Sequence, residues 1–175
     1  SSDVCSSDLI TQTDLSSYFK NYEGSFVLFN SNRDSWTVYD MEHATHRISP
    51  DSTYKIYDAL WGLEENIITP QNSLLIWDGK DYPFEAWNTD LTLDSAMAAS
   101  ANWYFQTIDE RLSLTRIQNY LNKIEYGNKN IMGGLSSYWL ESTLKISPVE
   151  QVELLKKLQT NNLEFHSNNL QAVKN

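Results

Sequence analysis

Ser49-Pro50-Asp51-Ser52-Thr53-Tyr54-Lys55-Ile56-Tyr57-Asp58-Ala59-Leu60-Trp61-Gly62-Leu63 reads as one helix with its start signal attached. Ser49 fits the N-cap, and Pro50 fits the first helical position, where a missing N–H costs nothing. Ser52 and Lys55 stand three residues apart, so a helix sets them side by side in its first turn. A serine hydroxyl becomes a nucleophile only when a base takes its proton. Lysine can be that base if burial or chemical modification removes its positive charge. The free N–H groups of a helix start also suit a developing oxyanion. Ser-x-x-Lys by itself is common in inert helices, and the Ser-Pro opening recurs at Ser147-Pro148. The tetrad therefore needs support from the rest of the chain.

Upstream, residues 25–29 and 36–39 are apolar runs separated by Asn-, Ser- and Asp-rich turn residues, which predicts a β-hairpin. Residues 10–22 are polar with scattered apolar positions and could form a short helix. Downstream, an aromatic-rich loop begins at Trp77-Asp78-Gly79 and runs through Trp87. Residues 93–109 read as a second helix and 114–124 as a third, with Leu114, Ile117, Leu121 and Ile124 on one face. Gly133-Gly134 marks a loop. Ser147-Pro148-Val149-Glu150 is a capping box opening a further helix. From Leu163 on the chain is polar and Asn-rich.

The 175 residues are the size of one domain, and 41% hydrophobic content with 13% aromatics can fill a core. A net charge of -10 without a basic cluster argues against nucleic acid and against anionic membrane surfaces. No run of 18 apolar residues exists to span a bilayer. Residues 1–9 repeat Ser-Ser-Asp and resemble a translated sequencing adapter, so they are set aside as non-native. Residues 10–175 then form the domain, and Cys5, the one cysteine, drops out with the adapter. No disulfide, thiol nucleophile or cysteine metal site remains. His43 and His46 lack further ligands and read as loop residues; no metal is expected. Glu141, Glu150 and Glu153 read as helix termini and solvated faces.

The ordered motifs from Gly24 to Val152 are more specific than any one of them. They are Ser52-Thr53-Tyr54-Lys55, Trp77-Asp78-Gly79, Trp87-Asn88, Ala96-Met97, Ser100-Ala101-Asn102-Trp103, Tyr126-Gly127-Asn128, Trp139-Leu140-Glu141, Leu144-Lys145-Ile146-Ser147-Pro148 and Glu150-Gln151-Val152. In this order they resemble the serine penicillin-recognising superfamily. Within it they are similar to the class D β-lactamases and the related sensor domains of β-lactam receptors. The resemblance implies an α+β fold with an N-terminal hairpin and a helical subdomain.

It also implies roles. Ser52 attacks the lactam carbonyl and becomes acylated. Lys55 is the general base, as a lysine N-carboxylated by CO2, and no other cofactor is implied. Ser100 relays a proton toward the lactam nitrogen. Trp139 supports the carboxylated lysine with its indole N–H, which can only donate. Ser52, Ser100 and Asn102 face the substrate. Trp77 and Trp87 read as packing residues and Tyr126-Gly127-Asn128 as a turn. Hydrolytic class D enzymes typically carry valine where this chain has Asn102, and Asn102-Trp103-Tyr104-Phe105 resembles the sensors. A polar amide beside Lys55 favours loss of CO2, which would leave no base to activate water.

Three readings follow. One is a β-lactam sensor acylated with little turnover, signalling induction of resistance. It would be tethered to a membrane-embedded signalling or protease part, at the extracellular face of the bacterial membrane. Another is a secreted or periplasmic class D β-lactamase. The last is a non-catalytic remnant serving as an interaction domain. The family's third motif, Lys-Thr-Gly or Lys-Ser-Gly on a strand, does not occur in these residues. A hairpin without its C-terminal sheet neighbours is marginal and exposes edges. The expectation is a truncated domain that, made alone, reacts poorly with β-lactams or not at all.

Overall fold

The computed structural model describes residues 10–174; the adapter-like residues 1–9 and Asn175 lie outside the described residues. The architecture is α+β. The predicted hairpin forms: β2 (Phe26–Asn30) pairs antiparallel with β3 (Ser35–Tyr39), Val27 opposite Val38. The Asn30 side chain closes its turn by accepting from the backbone of Asn32 and Arg33. Residues 10–22 are not one helix. β1 (Ile10–Gln12) adds to the far side of β3 in parallel, giving the order β1-β3-β2, and a single turn, α1 (Ser16–Phe19), follows. Strand β3 buries Trp36 and Val38 at alternate positions, as a half-buried strand must. Val38 meets Ala44, from the short α2 (Met41–Thr45), and Val149.

The larger core surrounds α3 (Lys55–Glu64), in which Tyr57, Ala59, Leu60, Trp61 and Leu63 are buried. Ser49 does not cap this helix. A 3-10 turn, Asp51–Tyr54, precedes it with Asp51 left-handed, and the Ser49 hydroxyl accepts instead from Lys145 Nζ at 3.0 Å. Against α3 packs α5 (Asn102–Arg111) through Trp103, Tyr104, Phe105 and Ile108. The approach is close enough that a Cβ on Gly62 would sit 3.1 Å from two carbons of Ile108.

The predicted helix over 93–109 is two helices. α4 (Leu93–Ala99) stops at Ser100, whose φ of 50° is left-handed, and α5 restarts at Asn102. A non-glycine residue there costs about 1 kcal/mol, so the break is held by its surroundings. α6 (Leu114–Lys123) buries Ile117 and Leu121, while Leu114 stays exposed. α7 (Pro148–Gln159) starts at the predicted capping box, with Ser147 and Glu150 reciprocally bonded. The Asn-rich end forms α8 (Ser167–Lys174), which packs on α3 and α7 and buries Leu170. None of the helices among the described residues is long and apolar enough to cross a membrane.

Candidate active site

Ser52 lies in the 3-10 turn and faces solvent, whereas Lys55, one turn on, is 1% exposed. Lys55 Nζ is 3.1 Å from Ser52 Oγ. Ser100 arrives from the α4–α5 junction; its Oγ lies 2.7 Å from Nζ and 2.9 Å from Ser52 Oγ. Its backbone carbonyl also accepts from Nζ at 2.7 Å. The left-handed turn at Ser100 thus delivers hydroxyl and carbonyl together to one amine. The result is a closed triangle with an open nucleophile and a sheltered base.

Burial lowers the Lys55 pKa to about 8. Nζ sees three acceptor atoms, one per N–H of an ammonium, and the rings of Phe105 and Trp139, each 5.6 Å away to the centroid.

The Trp139 indole N–H is not brought to Lys55. It donates to Asp109 Oδ2 at 2.8 Å, and Tyr138 donates to Asp109 Oδ1 at 2.8 Å. Behind Tyr138 the chain of donors has a fixed direction. An indole can only donate, so Trp61 gives to Tyr54 (3.1 Å), Tyr54 to Tyr138 (2.7 Å) and Tyr138 to Asp109. Asp58 and Asp109 are both fully buried. Neither oxygen of Asp58 has a hydrogen-bond partner among the described residues. A carboxylate would be costly there, so the acid form is favoured. Burial accordingly raises Asp58 well above the usual carboxylate range, and raises Asp109 to about 7 against the pull of the Trp139 and Tyr138 donors. The sequence reading missed both residues. Their signal was periodicity: Asp58 and Asp109 each lie four residues after a buried aromatic, Tyr54 and Phe105, on stripes otherwise apolar.

Asn102 opens α5 two residues from Ser100 and is half-buried, but the Nζ partners among the described residues are Ser52 and Ser100. The Trp87 indole N–H holds the carbonyl of Ala99, and the Trp103 indole N–H holds that of Trp87, which fixes the α4–α5 junction. Trp77 donates to the Lys80 carbonyl within its own loop. Tyr126-Gly127-Asn128 is a turn against the strand-like 143–146 segment, with Asn128 bonded to Thr143 and Lys145. His43 bonds Asp40, and no cluster of three possible metal ligands exists among the described residues.

Residues 18–169 match the model of the penicillin binding protein transpeptidase domain. The chain belongs to that family. It is 44% identical over 163 residues to the regulatory protein BlaR1 of Bacillus licheniformis, covering 92% of this chain and 27% of that protein. The chain thus spans about a quarter of this relative's length. The solved C-terminal domain of the Bacillus licheniformis BlaR penicillin-receptor superposes with a TM-score of 0.92 at 41% identity, over 98% of this chain and 70% of that one. A class D β-lactamase from Bacillus subtilis superposes at 0.89 with 37% identity, over 93% and 68%. The α+β architecture is that of these penicillin-recognising serine proteins, both receptor and hydrolase.

Proposed function

We propose that this chain is a β-lactam sensor domain, acylated on Ser52 and slow to release the acyl group. The Ser52–Lys55–Ser100 triangle carries the reading. Ser52 Oγ adds to the lactam carbonyl while its proton passes to the free amine of Lys55. The tetrahedral intermediate collapses with cleavage of the lactam C–N bond. The departing nitrogen takes a proton from Lys55 through Ser100 Oγ, which lies within hydrogen-bond reach of both other corners. No fragment of the drug leaves, so the product is a one-to-one covalent adduct. Release needs a base to activate water at the new ester, and Lys55 is the basic group the triangle offers.

The resemblance implies a CO2-derived carboxyl on Lys55, which would take the Ser52 proton in place of the amine. The Ser52 and Ser100 hydroxyls beside Nζ could donate to it, while the Trp139 N–H donates to Asp109. The steps above are written for the amine. Likeness to a regulatory protein and a penicillin-receptor supports sensing over hydrolysis. In this reading the domain stands outside the cell and reports to a membrane-embedded signalling part. Likeness to a class D β-lactamase keeps hydrolysis as the second reading.

An intact-mass time course with benzylpenicillin separates them, run on the chain in its full reading frame beside the 175 residues alone. An adduct on Ser52 that lasts hours is the expected result. One that vanishes within minutes means a hydrolase. Absence of any adduct on the full reading frame refutes both and leaves the interaction-domain reading.

A further inference from the structure

Ser52 is exposed, yet the backbone that carries it is braced from the segment that begins at Trp139. Asp51, the residue before it, has a left-handed φ of 45°. Aspartate tolerates that conformation better than most side chains, still at a cost of about 1 kcal/mol. Two bonds hold it there. The Asp51 N–H donates to the Trp139 carbonyl at 3.1 Å, and Asp51 Oδ1 accepts from the Glu141 N–H at 2.8 Å. Glu141 is left-handed too, at 42°, so two unusual backbones face each other across a reciprocal pair of bonds. Trp139 is itself anchored in the core through its indole on Asp109. Elsewhere in the turn the bonds are of another kind. Thr53 returns to the Pro50 carbonyl through its N–H at 3.1 Å and its hydroxyl at 2.6 Å, which is a local contact. Ser49 is held by the Lys145 side chain at 3.0 Å.

We propose that Asp51 is a positioning residue for acylation: its backbone and carboxylate clamp the nucleophile turn to residues 139–141 and hold Ser52 Oγ at the corner it shares with Lys55 and Ser100. The inference rests on the reading of Ser52 as the nucleophile. Asp51 acts through Ser52, since its side chain is spent on the Glu141 N–H. The two residues share a peptide plane, so the torsions of Asp51 aim both the N–H and the Cβ of Ser52. Ser52 Oγ lies 3.1 Å from Lys55 Nζ and 2.9 Å from Ser100 Oγ, distances with little slack for a hydrogen bond. Relaxation of Asp51 toward a negative φ would swing that plane and carry Oγ away from both. A misplacement of about 1 Å costs on the order of 100-fold in rate. The clamp needs an acceptor on a short side chain that accepts a left-handed backbone. Asparagine meets both demands. Glycine meets only the backbone demand, and glutamate carries its acceptor one methylene too far.

The test is saturation kinetics of acylation by benzylpenicillin, followed by quenched intact mass, on the chain in its full reading frame. Asp51→Gly and Asp51→Glu should lower the maximum acylation rate by about 10- to 100-fold and leave the half-saturating concentration unchanged. Asp51→Asn should keep most of the parent's maximum rate. Hydrogen exchange without drug should find the Glu141 amide protected in the parent and in Asp51→Asn, and faster in Asp51→Gly. Gly and Glu variants that acylate like the parent refute the proposal. So does a loss confined to the half-saturating concentration, or a Glu141 amide that exchanges equally in the parent and in Asp51→Gly. Should Asp51→Gly fail to fold, the other two variants decide. Glutamate keeps the charge and asparagine keeps the acceptor in place, so a fast Glu variant or a slow Asn variant overturns the clamp. A parent that takes no drug refutes the sensor reading itself, whereas a reacting parent matched by its Gly and Glu variants refutes the clamp alone.

Discussion

Moving the pH from 6 to 9 should accelerate acylation of Ser52 along the titration of a free amine. With the Lys55 pKa at about 8, the amine fraction is about 1% at pH 6, about 10% at pH 7 and about 90% at pH 9. If Lys55 is the base, the second-order acylation rate rises about 90-fold across that range, with its midpoint near pH 8. The sign follows from the chemistry: only the deprotonated amine can take the Ser52 proton. Stopped-flow acylation with a chromogenic cephalosporin, at constant ionic strength, measures the rate. A rate already on its plateau at pH 6 would refute the reasoning, because the base would then be an anion or a residue other than Lys55.

Three further outcomes follow from the packing. Ser100→Ala keeps the carbonyl that holds Nζ but removes the hydroxyl linking it to Ser52; acylation should slow by about 100-fold with an unchanged melting temperature, in the same stopped-flow assay. Gly127→Ala should destabilise by more than about 2 kcal/mol, read as a fall in the urea midpoint, because a Cβ there would sit 2.0 Å from the Lys145 carbonyl oxygen at a φ of +45°. Asp58→Asn should stabilise the protein increasingly as pH rises. The folded-state pKa of Asp58 is raised, so its contribution is intact below the unfolded value near 4 and is lost as pH climbs toward the folded value. Asn carries no such proton. The variant's advantage should grow as pH rises from 4 to 7 in denaturant titrations; a pH-independent difference would remove the protonated-acid assignment.

Much of this was legible in the chain because local chemistry and tertiary role coincide. The capping box at Ser147–Glu150 needs four residues to be recognised, and the hairpin needs two apolar runs and an Asn-rich turn. Ser52 and Lys55 meet because i and i+3 meet on any helical turn. What was not legible depends on distant contacts. Ser100 breaks a helix-like run because Trp87, twelve residues before Ala99, holds the carbonyl beside the break and Lys55 takes the next one. Ser49 looks like a cap, but Lys145 claims its hydroxyl from 96 residues away. Trp139 was found, but the direction of its N–H was not. That direction is decided by Asp109, thirty residues earlier.

Helix α3 joins the site to the core in one register. Lys55 stands at the site, Asp58 follows in the interior, and Trp61, one turn further, starts the donor chain that returns through Tyr54 and Tyr138 to Asp109. Tyr138 spends its one proton on Asp109, so Tyr54 donates to Tyr138 while its oxygen accepts from Trp61. The Trp139 N–H ends on the same buried carboxyl. The site therefore draws its rigidity from the interior: the turn that carries Ser52 runs straight into the helix whose Trp61 begins the donor chain ending at Asp109.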